Sequence, residues 1–470
     1  MVISDRASWT PEDTDLDGLR SRLQGEILRP GDEEYDSARA IWNGSAEGQP
    51  ALIVRCADAV DVSAAITFAR AEGLPIAVRS GGHSVAGHST SDGVVIDLSS
   101  MKGMEVDVDR RVARLEPGLT WGEVARALHP HGLGITAGDT ASVGVGGLTL
   151  GGGIGWMVRK HGLAIDNLRA VEIVTADGSI LRASATENPD LFWGLRGGGG
   201  NFGVATAFEF NLHSAGMIFG GGILFDASDP EEAVRTLQAY ARIAESAPDE
   251  LTTQALLMAA PPAPFVPPEM QGRPVVAIAA VYAGDLAEGE RVVAPLRTLG
   301  SVVADVMGPM PYPAIFALTE IAEVKGMAHH VRSHYLKGID DDALRALAES
   351  TLTGFTPEAI VQLRVLGGAM SRVPAEATAF AHRDKRGLVM ISHMGPPEAG
   401  DAERRERTET VWRAMQPYAS GVYVNFLEKE GEDRVRDAYP PATYTRLAAL
   451  KARYDPTNVF RLNQNITPAL

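Results

Sequence analysis

Apolar and polar positions alternate at short range along the first half of this chain, and the period of the alternation changes repeatedly. Val60, Ala64, Ala65, Phe68 and Ala69 recur at helical spacing, with Asp58 or Asp61 placed to cap the helix and Gly73 to stop it. Pro75-Ile-Ala-Val78 reads as a short buried strand running into the loop Arg79-Ser-Gly-Gly-His-Ser84. Val94-Val-Ile-Asp-Leu98 and Val112-Ala-Arg-Leu115 read as further strands. Thr120 and Glu123 have capping-box spacing and predict a helix reaching the Gly132 region. Glu172-Ile-Val-Thr175 and Ser179-Ile-Leu-Arg182 flank Ala-Asp-Gly, a hairpin signal, and residues 205–211 close the region as a strand. Hairpins mixed with helices, without regular β-α-β alternation, predict an α+β fold rather than a doubly wound one.

Beyond Ser214 the helices lengthen and the strands become more apolar. Asp229 caps a helix with Pro230 at its first position and Val234, Leu237, Tyr240 and Ala241 on one face. Residues 254–260 and 275–282 read as strands joined by a Pro-rich loop, placed at the rim of a site. Residues 439–468 change character again: a helix through Leu447 and Leu450, then Tyr454-Asp-Pro456 and an Asn-rich tail expected to pack back on the fold. At 470 residues the chain exceeds what one core usually supports, so two domains are expected.

Composition narrows the function classes. A formal net charge of −17 argues against a nucleic-acid partner, which needs clustered cations. The single cysteine, Cys56, rules out an internal disulfide. Residues 1–15 do not read as a signal peptide and no apolar stretch is long enough to span a bilayer, so a cytoplasmic location without membrane contact is expected. His329-His330 point to opposite faces of a strand and predict no shared metal.

Glycine is the outlier, with 50 residues. Gly144-Val-Gly-Gly-Leu-Thr-Leu-Gly-Gly-Gly-Ile-Gly155 holds seven glycines in twelve positions, which lets backbone N–H groups approach a bulky ligand. The Rossmann fingerprint is a poor match, because Gly147 follows Gly146 directly and no strongly apolar parallel strand precedes the run. Gly197-Gly-Gly-Gly-Asn-Phe-Gly203 leads into a strand at Val204, and Gly81 and Gly82 stand beside His83. Each turn alone reads equally as a tight bend; together they predict one extended ligand wrapped by several loops.

The string Arg79-Ser-Gly-Gly-His-Ser84 resembles the covalent-attachment loop of the berberine bridge enzyme-like branch of the vanillyl-alcohol oxidase flavoproteins. The resemblance continues through Asp139-Thr-Ala-Ser-Val-Gly-Val-Gly-Gly147, Arg159-Lys-His-Gly-Leu163 and Leu191-Phe-Trp-Gly-Leu-Arg-Gly, and returns at Tyr423-Val-Asn425 and Tyr454-Asp-Pro456. It implies a discontinuous FAD-binding domain, residues 1–215 and 421–470, around a substrate domain, residues 216–420, with an antiparallel sheet. It also implies FAD bonded through His83, where a surface-loop histidine is the plain alternative. Relatives that attach the flavin twice carry a cysteine where this chain has Thr140, so attachment through His83 only is expected, resembling the 6-hydroxy-D-nicotine oxidase type.

Val143 matches the family's oxygen-access position, and a valine there resembles oxidases. The cofactor residues the resemblance carries over are Arg79, Ser80, Gly81, Gly82, His83, Ser84, Thr140, Val143, Gly144, Gly146, Gly147, Gly152, Gly153, Gly155, Asn201, Gly203, Val204, Asn463 and Asn465, with Tyr423 and Asn425 as catalytic candidates. A helix-terminating tail is the other reading of Asn463 and Asn465. Relatives acting on alcohols often end the Tyr-x-Asn string with a basic tyrosine; here Phe426 stands there, as a core aromatic or as a sign of amine substrates. Tyr335, Glu320 and Glu323 are further pocket candidates. The expected reaction is oxidation of a small organic amine or alcohol, with dioxygen reoxidising the flavin. A flavin-dependent dehydrogenase or a non-oxidative cyclase are the alternatives, and a NAD-dependent Rossmann enzyme is the remote one.

Overall fold

A computed structural model describes residues 16–46, 48–398 and 400–470, with no side-chain description at 320–322. Residues 1–15, read above for a signal peptide, and the side chain of Glu320 lie outside the described residues.

The first part of the chain builds two sheets. One has the order Glu26–Leu28, Leu52–Arg55, Val94–Asp97, Ile76–Arg79, and its last three strands run parallel. Helix Ala59–Ala71 makes the crossover, and the Asp58 carboxylate caps it by accepting from the Val60 and Asp61 N–H groups. Val62, Ala65, Ile66 and Ala69 carry its buried face, while Val60, grouped above with the apolar face, is 57% exposed in the capped first turn. This β-α-β unit stands alone; the second sheet is wholly antiparallel, in the order Met104–Asp107, Val112–Leu115, Val204–Asn211, Leu168–Val174, Ile180–Ser184. Its last two strands form the hairpin read from Ala-Asp-Gly, with Gly178 at φ +85°. The capping box forms at helix Trp121–Leu128, where the Glu123 carboxylate accepts from the Thr120 N–H at 2.8 Å.

An eight-stranded antiparallel sheet follows, running Val302–Asp305, Met217–Asp226, Pro274–Tyr282, Leu251–Ala259, Ala359–Val365, Gly387–Gly395, Ala328–Leu336, with Gly308–Pro311 also on Met217–Asp226. Helices Pro230–Ser246, Asp341–Leu352 and Asp401–Met415 pack on one face, burying alternate residues such as Leu257, Val361, Leu363 and Ile391. The intervening residues Met258, Ile360, Gln362, Arg364 and Met390 line a cavity on the other face. The Pro-rich loop between Leu251–Ala259 and Pro274–Tyr282 supplies none of that lining. It buries Val266 against Leu224, Val275 and Ala277 at the sheet's end.

The chain then returns. Leu447 and Leu450 of helix Pro441–Tyr454 share a core with Phe202 and Leu191, and Phe460 packs with Val204. Lys451, fully buried, donates to the Asn201 and Phe460 carbonyls at 2.8 and 2.7 Å and to the Asp455 carboxylate at 2.7 Å. One ammonium therefore ties the third glycine turn to the tail. No helix among the described residues is long and apolar enough to cross a membrane.

Candidate active site

The three glycine turns meet around a cavity of about 410 Å³ between the first sheets, the large sheet and the tail. Strand Ile76–Arg79 delivers the first turn. The Arg79 guanidinium pairs with Asp97 at 2.7 Å and reaches the Ala38 carbonyl, so this buried side chain anchors the strand end and does not line the cavity. Ser80, Gly81, Gly82, His83 and Ser84 then open onto it. Gly81 lies against Gly144 of the second turn so closely that a Cβ at Gly81 would fall 2.3 Å from the Gly144 nitrogen. Ser80 Oγ stitches the same seam, accepting from the Gly146 N–H at 3.2 Å.

From the second turn Thr140, Val143, Gly144, Gly146 and Gly147 line the cavity, and from the third turn and its strand Asn201, Gly203 and Val204 do. Gly152, Gly153 and Gly155 do not. Gly152 faces the Phe380 and Tyr423 rings, the Gly153 N–H donates to Tyr423 Oη at 2.9 Å, and Gly155 abuts the carbonyls of Ala137 and Gly138. These three shape the wall from behind. Asn463 lines the cavity and Asn465 does not, although both keep a buried Oδ1 without a protein partner.

His83 is the chemically distinctive side chain. Burial, helped by the Lys325 charge, lowers its pKa to about 4, so the imidazole is neutral near pH 7. Its Nε2 lies 2.9 Å from Ser142 Oγ. Its ring stacks on Trp42 at 5.3 Å, and Trp42 stacks in turn on His329 at 3.7 Å. The Thr140 hydroxyl donates to its neighbour's carboxylate, Asp139, at 3.3 Å. Cys56 is buried in the core beneath helix Ala59–Ala71 and does not line the cavity, and burial pushes its thiol up.

Tyr423 and Asn425 come together beside the second turn. Tyr423 Oη accepts from Asn425 Nδ2 at 2.9 Å, and Asn425 Nδ2 also reaches the Leu148 carbonyl at 3.1 Å. Burial pushes the Tyr423 phenol up to about 12, which keeps it protonated. Phe426 lines the cavity edge-on to Tyr423 at 5.1 Å.

The sequence reading missed a polar chain beneath Phe426. Arg364 lies over the Phe426 ring at 5.3 Å and pairs with Asp139 at 2.7 Å. Its Nε donates to Gln362 Oε1 at 2.8 Å, and Gln362 donates to Gln254 at 2.7 Å. The signal was present in Ala359–Val365, where two polar residues at alternate positions interrupt an apolar strand. Glu323 does approach the site, accepting from the Ala141 and Ser142 N–H groups at 2.9 and 3.2 Å. Tyr335 instead packs among Phe380, His382 and Tyr423, off the cavity. His329 lines the cavity while His330, on the opposite face, bonds Asp401 at 2.7 Å.

The residues suit a flavin dinucleotide. At Gly147 and Gly200, both on the cavity wall, a Cβ would meet nothing within 4 Å, so the glycines leave open a cradle for a broad ligand. The orphaned Asn463 Oδ1 offers an acceptor to a ring N–H.

Residues 50–184 match a family described as FAD binding domain, and residues 422–467 match one described as berberine and berberine like. The chain is 31% identical over 461 residues to (R)-6-hydroxynicotine oxidase of Paenarthrobacter nicotinovorans, spanning 95% of this chain and 97% of that one. It is 30% identical to an FAD-linked oxidoreductase of Dictyostelium discoideum over 95% of both chains. Among solved structures, 6-hydroxy-D-nicotine oxidase from Arthrobacter nicotinovorans superimposes with a TM-score of 0.85 at 30% identity, covering 95% of this chain and 98% of that one. A berberine bridge enzyme-like protein of Physcomitrella patens shares the fold at a TM-score of 0.85 and 22% identity, over 97% and 99% of the two chains. With this cradle, and with relatives matching over nearly their whole length, the chain belongs to the berberine bridge enzyme-like family of FAD-linked oxidoreductases.

Proposed function

We propose that this protein is an oxidase that carries FAD linked through His83 alone and removes hydride from a small neutral amine or alcohol, an amine being favoured. The observation that carries the reading is His83 itself, a neutral imidazole on the wall of a glycine-lined cavity. Residues 1–215 and 421–470 are taken as the FAD-binding domain, and residues 216–420 as the substrate domain. The other cavity-lining positions named from the sequence serve as its cradle. Bound FAD supplies the hydride acceptor, and dioxygen reoxidises it with release of hydrogen peroxide.

Single attachment is supported by Thr140, whose hydroxyl is a poor nucleophile, and by Cys56, a buried side chain that does not line the cavity. Small Val143 on that wall leaves room for dioxygen, and the name of the (R)-6-hydroxynicotine oxidase relative supports oxidase chemistry. The chain's own residues orient and select. The only carboxylate on the cavity wall among the described residues, Asp139, is neutralised by Arg364. Burial holds the wall histidines His83, His88 and His329 uncharged, with pKa values of about 4. Such a lining favours an uncharged substrate, its apolar body against Met258, Ile360 and Met390. Tyr423, held protonated, cannot serve as a base near neutral pH, and Phe426 takes no proton. A neutral amine needs no base, because its nitrogen lone pair supports the loss of hydride from the adjacent carbon.

Acid precipitation tests the linkage: yellow colour remains with the polypeptide, and colour wholly in the supernatant refutes it. A screen of amines and alcohols read by peroxide formation tests the reaction. Turnover with an artificial electron acceptor but none with dioxygen would reassign the protein as a dehydrogenase.

A further inference from the structure

We propose that Ser142, held by Glu323, is a positioning residue that prepares His83 for covalent attachment of the flavin. The inference rests on the linkage proposed above. Ser142 Oγ stands 2.9 Å from His83 Nε2, and the Ser142 N–H donates to Glu323 Oε1 at 3.2 Å, as does the Ala141 N–H at 2.9 Å. Glu323 ends the 3₁₀ segment Tyr312–Glu323, whose Thr319 hydroxyl donates to the Asp139 carbonyl at 2.7 Å. The turn carrying Ser142 is thus pinned twice from a segment distant in sequence.

The imidazole is neutral, so one ring nitrogen carries a proton and the other a lone pair. For Nδ1 to attack, the lone pair must lie on Nδ1 and the proton on Nε2, where the serine hydroxyl stands ready to accept it. In the linking step Nδ1 forms a bond to the flavin 8α carbon. That carbon loses one proton and Nε2 loses another. The two electrons reduce the flavin, and dioxygen removes them with both protons as hydrogen peroxide. A hydroxyl suits both ends of this change, accepting from the Nε2 proton before the bond forms and donating to bare Nε2 afterwards. Alanine does neither, and leaves both the tautomer and the ring angle unset. Glu323 contributes by fixing the backbone from which the hydroxyl projects.

The test follows linkage rather than turnover. Full-length chain is expressed in riboflavin-starved cells, riboflavin is restored, and protein is purified at intervals. Intact-protein mass spectrometry gives the linked fraction, and flavin released by acid gives the bound but unlinked fraction. Ser142→Ala should bind flavin yet link roughly three- to tenfold more slowly, the factor for one hydrogen bond. Ser142→Thr should restore the rate. Glu323→Ala should be slow, and Glu323→Gln, which keeps an oxygen for both N–H groups, should not. Ser142→Ala linking as fast as wild type overturns the role of Ser142, and so does Ser142→Ala failing to retain any flavin. Wild-type chain that binds flavin but never gains its mass removes the His83 linkage instead.

Discussion

Replacing Lys451 with methionine isolates what one buried charge contributes to the cofactor cradle. Both Lys451 and Asp455 side chains are 0% exposed, and burial draws the ammonium below the usual lysine range while Asp455 opposes the shift. Asp455 also accepts the Val459 and Phe460 N–H groups at 2.7 and 2.8 Å. Lys451→Met therefore strands a carboxylate with two neutral donors and leaves the Asn201 and Phe460 carbonyls without their shared partner. Breaking a buried pair from one side costs about 3–5 kcal/mol. The loss falls on the contact between the third glycine turn and the tail, so local opening should rise by about a hundredfold or more. Thermolysin digestion under native conditions reads that opening as cleavage in residues 455–470, in the regime where cleavage tracks the open population. The double variant Lys451→Met/Asp455→Asn removes the stranded charge and keeps an acceptor for one N–H, so it should regain about 1–3 kcal/mol over the single variant. Cleavage of Lys451→Met within about threefold of wild type, or a double variant no slower to cleave than the single, would refute the electrostatic account.

Gly81→Ala should sharply reduce flavin content measured by absorbance, because its methyl group would collide with the Gly144 backbone 2.3 Å away. Phe426→Tyr should raise peroxide formation from alcohols relative to amines by about tenfold or more, since it places a phenol, the usual base, beside Arg364; an unchanged ratio would argue against Phe426 as the discriminating residue. His334 and His393, both buried outside the cavity, have pKa values lowered to about 4. The unfolded chain binds their protons below about pH 6.5 and the folded chain does not, so stability present above 6.5 is lost as pH falls to 4. The loss is about 3 kcal/mol for each histidine, and replacing both with Gln should shift the acid unfolding midpoint downward in circular dichroism. Native protein should take no iodoacetamide label, because Cys56 is buried and its thiol is pushed up; labelling should appear only on unfolding.

Local rules carried the fold a long way. Capping at Asp58, Thr120 and Asp229 and the Ala-Asp-Gly hairpin are written in neighbouring residues, and the helices and strands formed where those residues required. The site was legible where backbone must approach backbone, because the Gly81–Gly144 seam tolerates no other residue. What escaped was set by distance along the chain. Arg364 meets Asp139, and Glu323 meets Ser142, only after the large sheet and its 3₁₀ segment have folded against the glycine turns. No periodicity within either segment encodes such a meeting. Arg79 shows the converse: adjacent to the first glycine turn in sequence, it turns inward to Asp97 because a guanidinium at a parallel strand end finds its partner on the neighbouring strand.

The cavity wall includes Phe460, Leu462, Asn463 and Gln464 as well as Trp42 and His83. A ribosome that has already released every glycine turn has therefore still produced no vessel for the coenzyme. The hollow gains this side of its wall only once residues 460–464 have joined the glycine turns. Loss of residues 460–464 would consequently be as damaging to cofactor uptake as lesions in the first glycine turn.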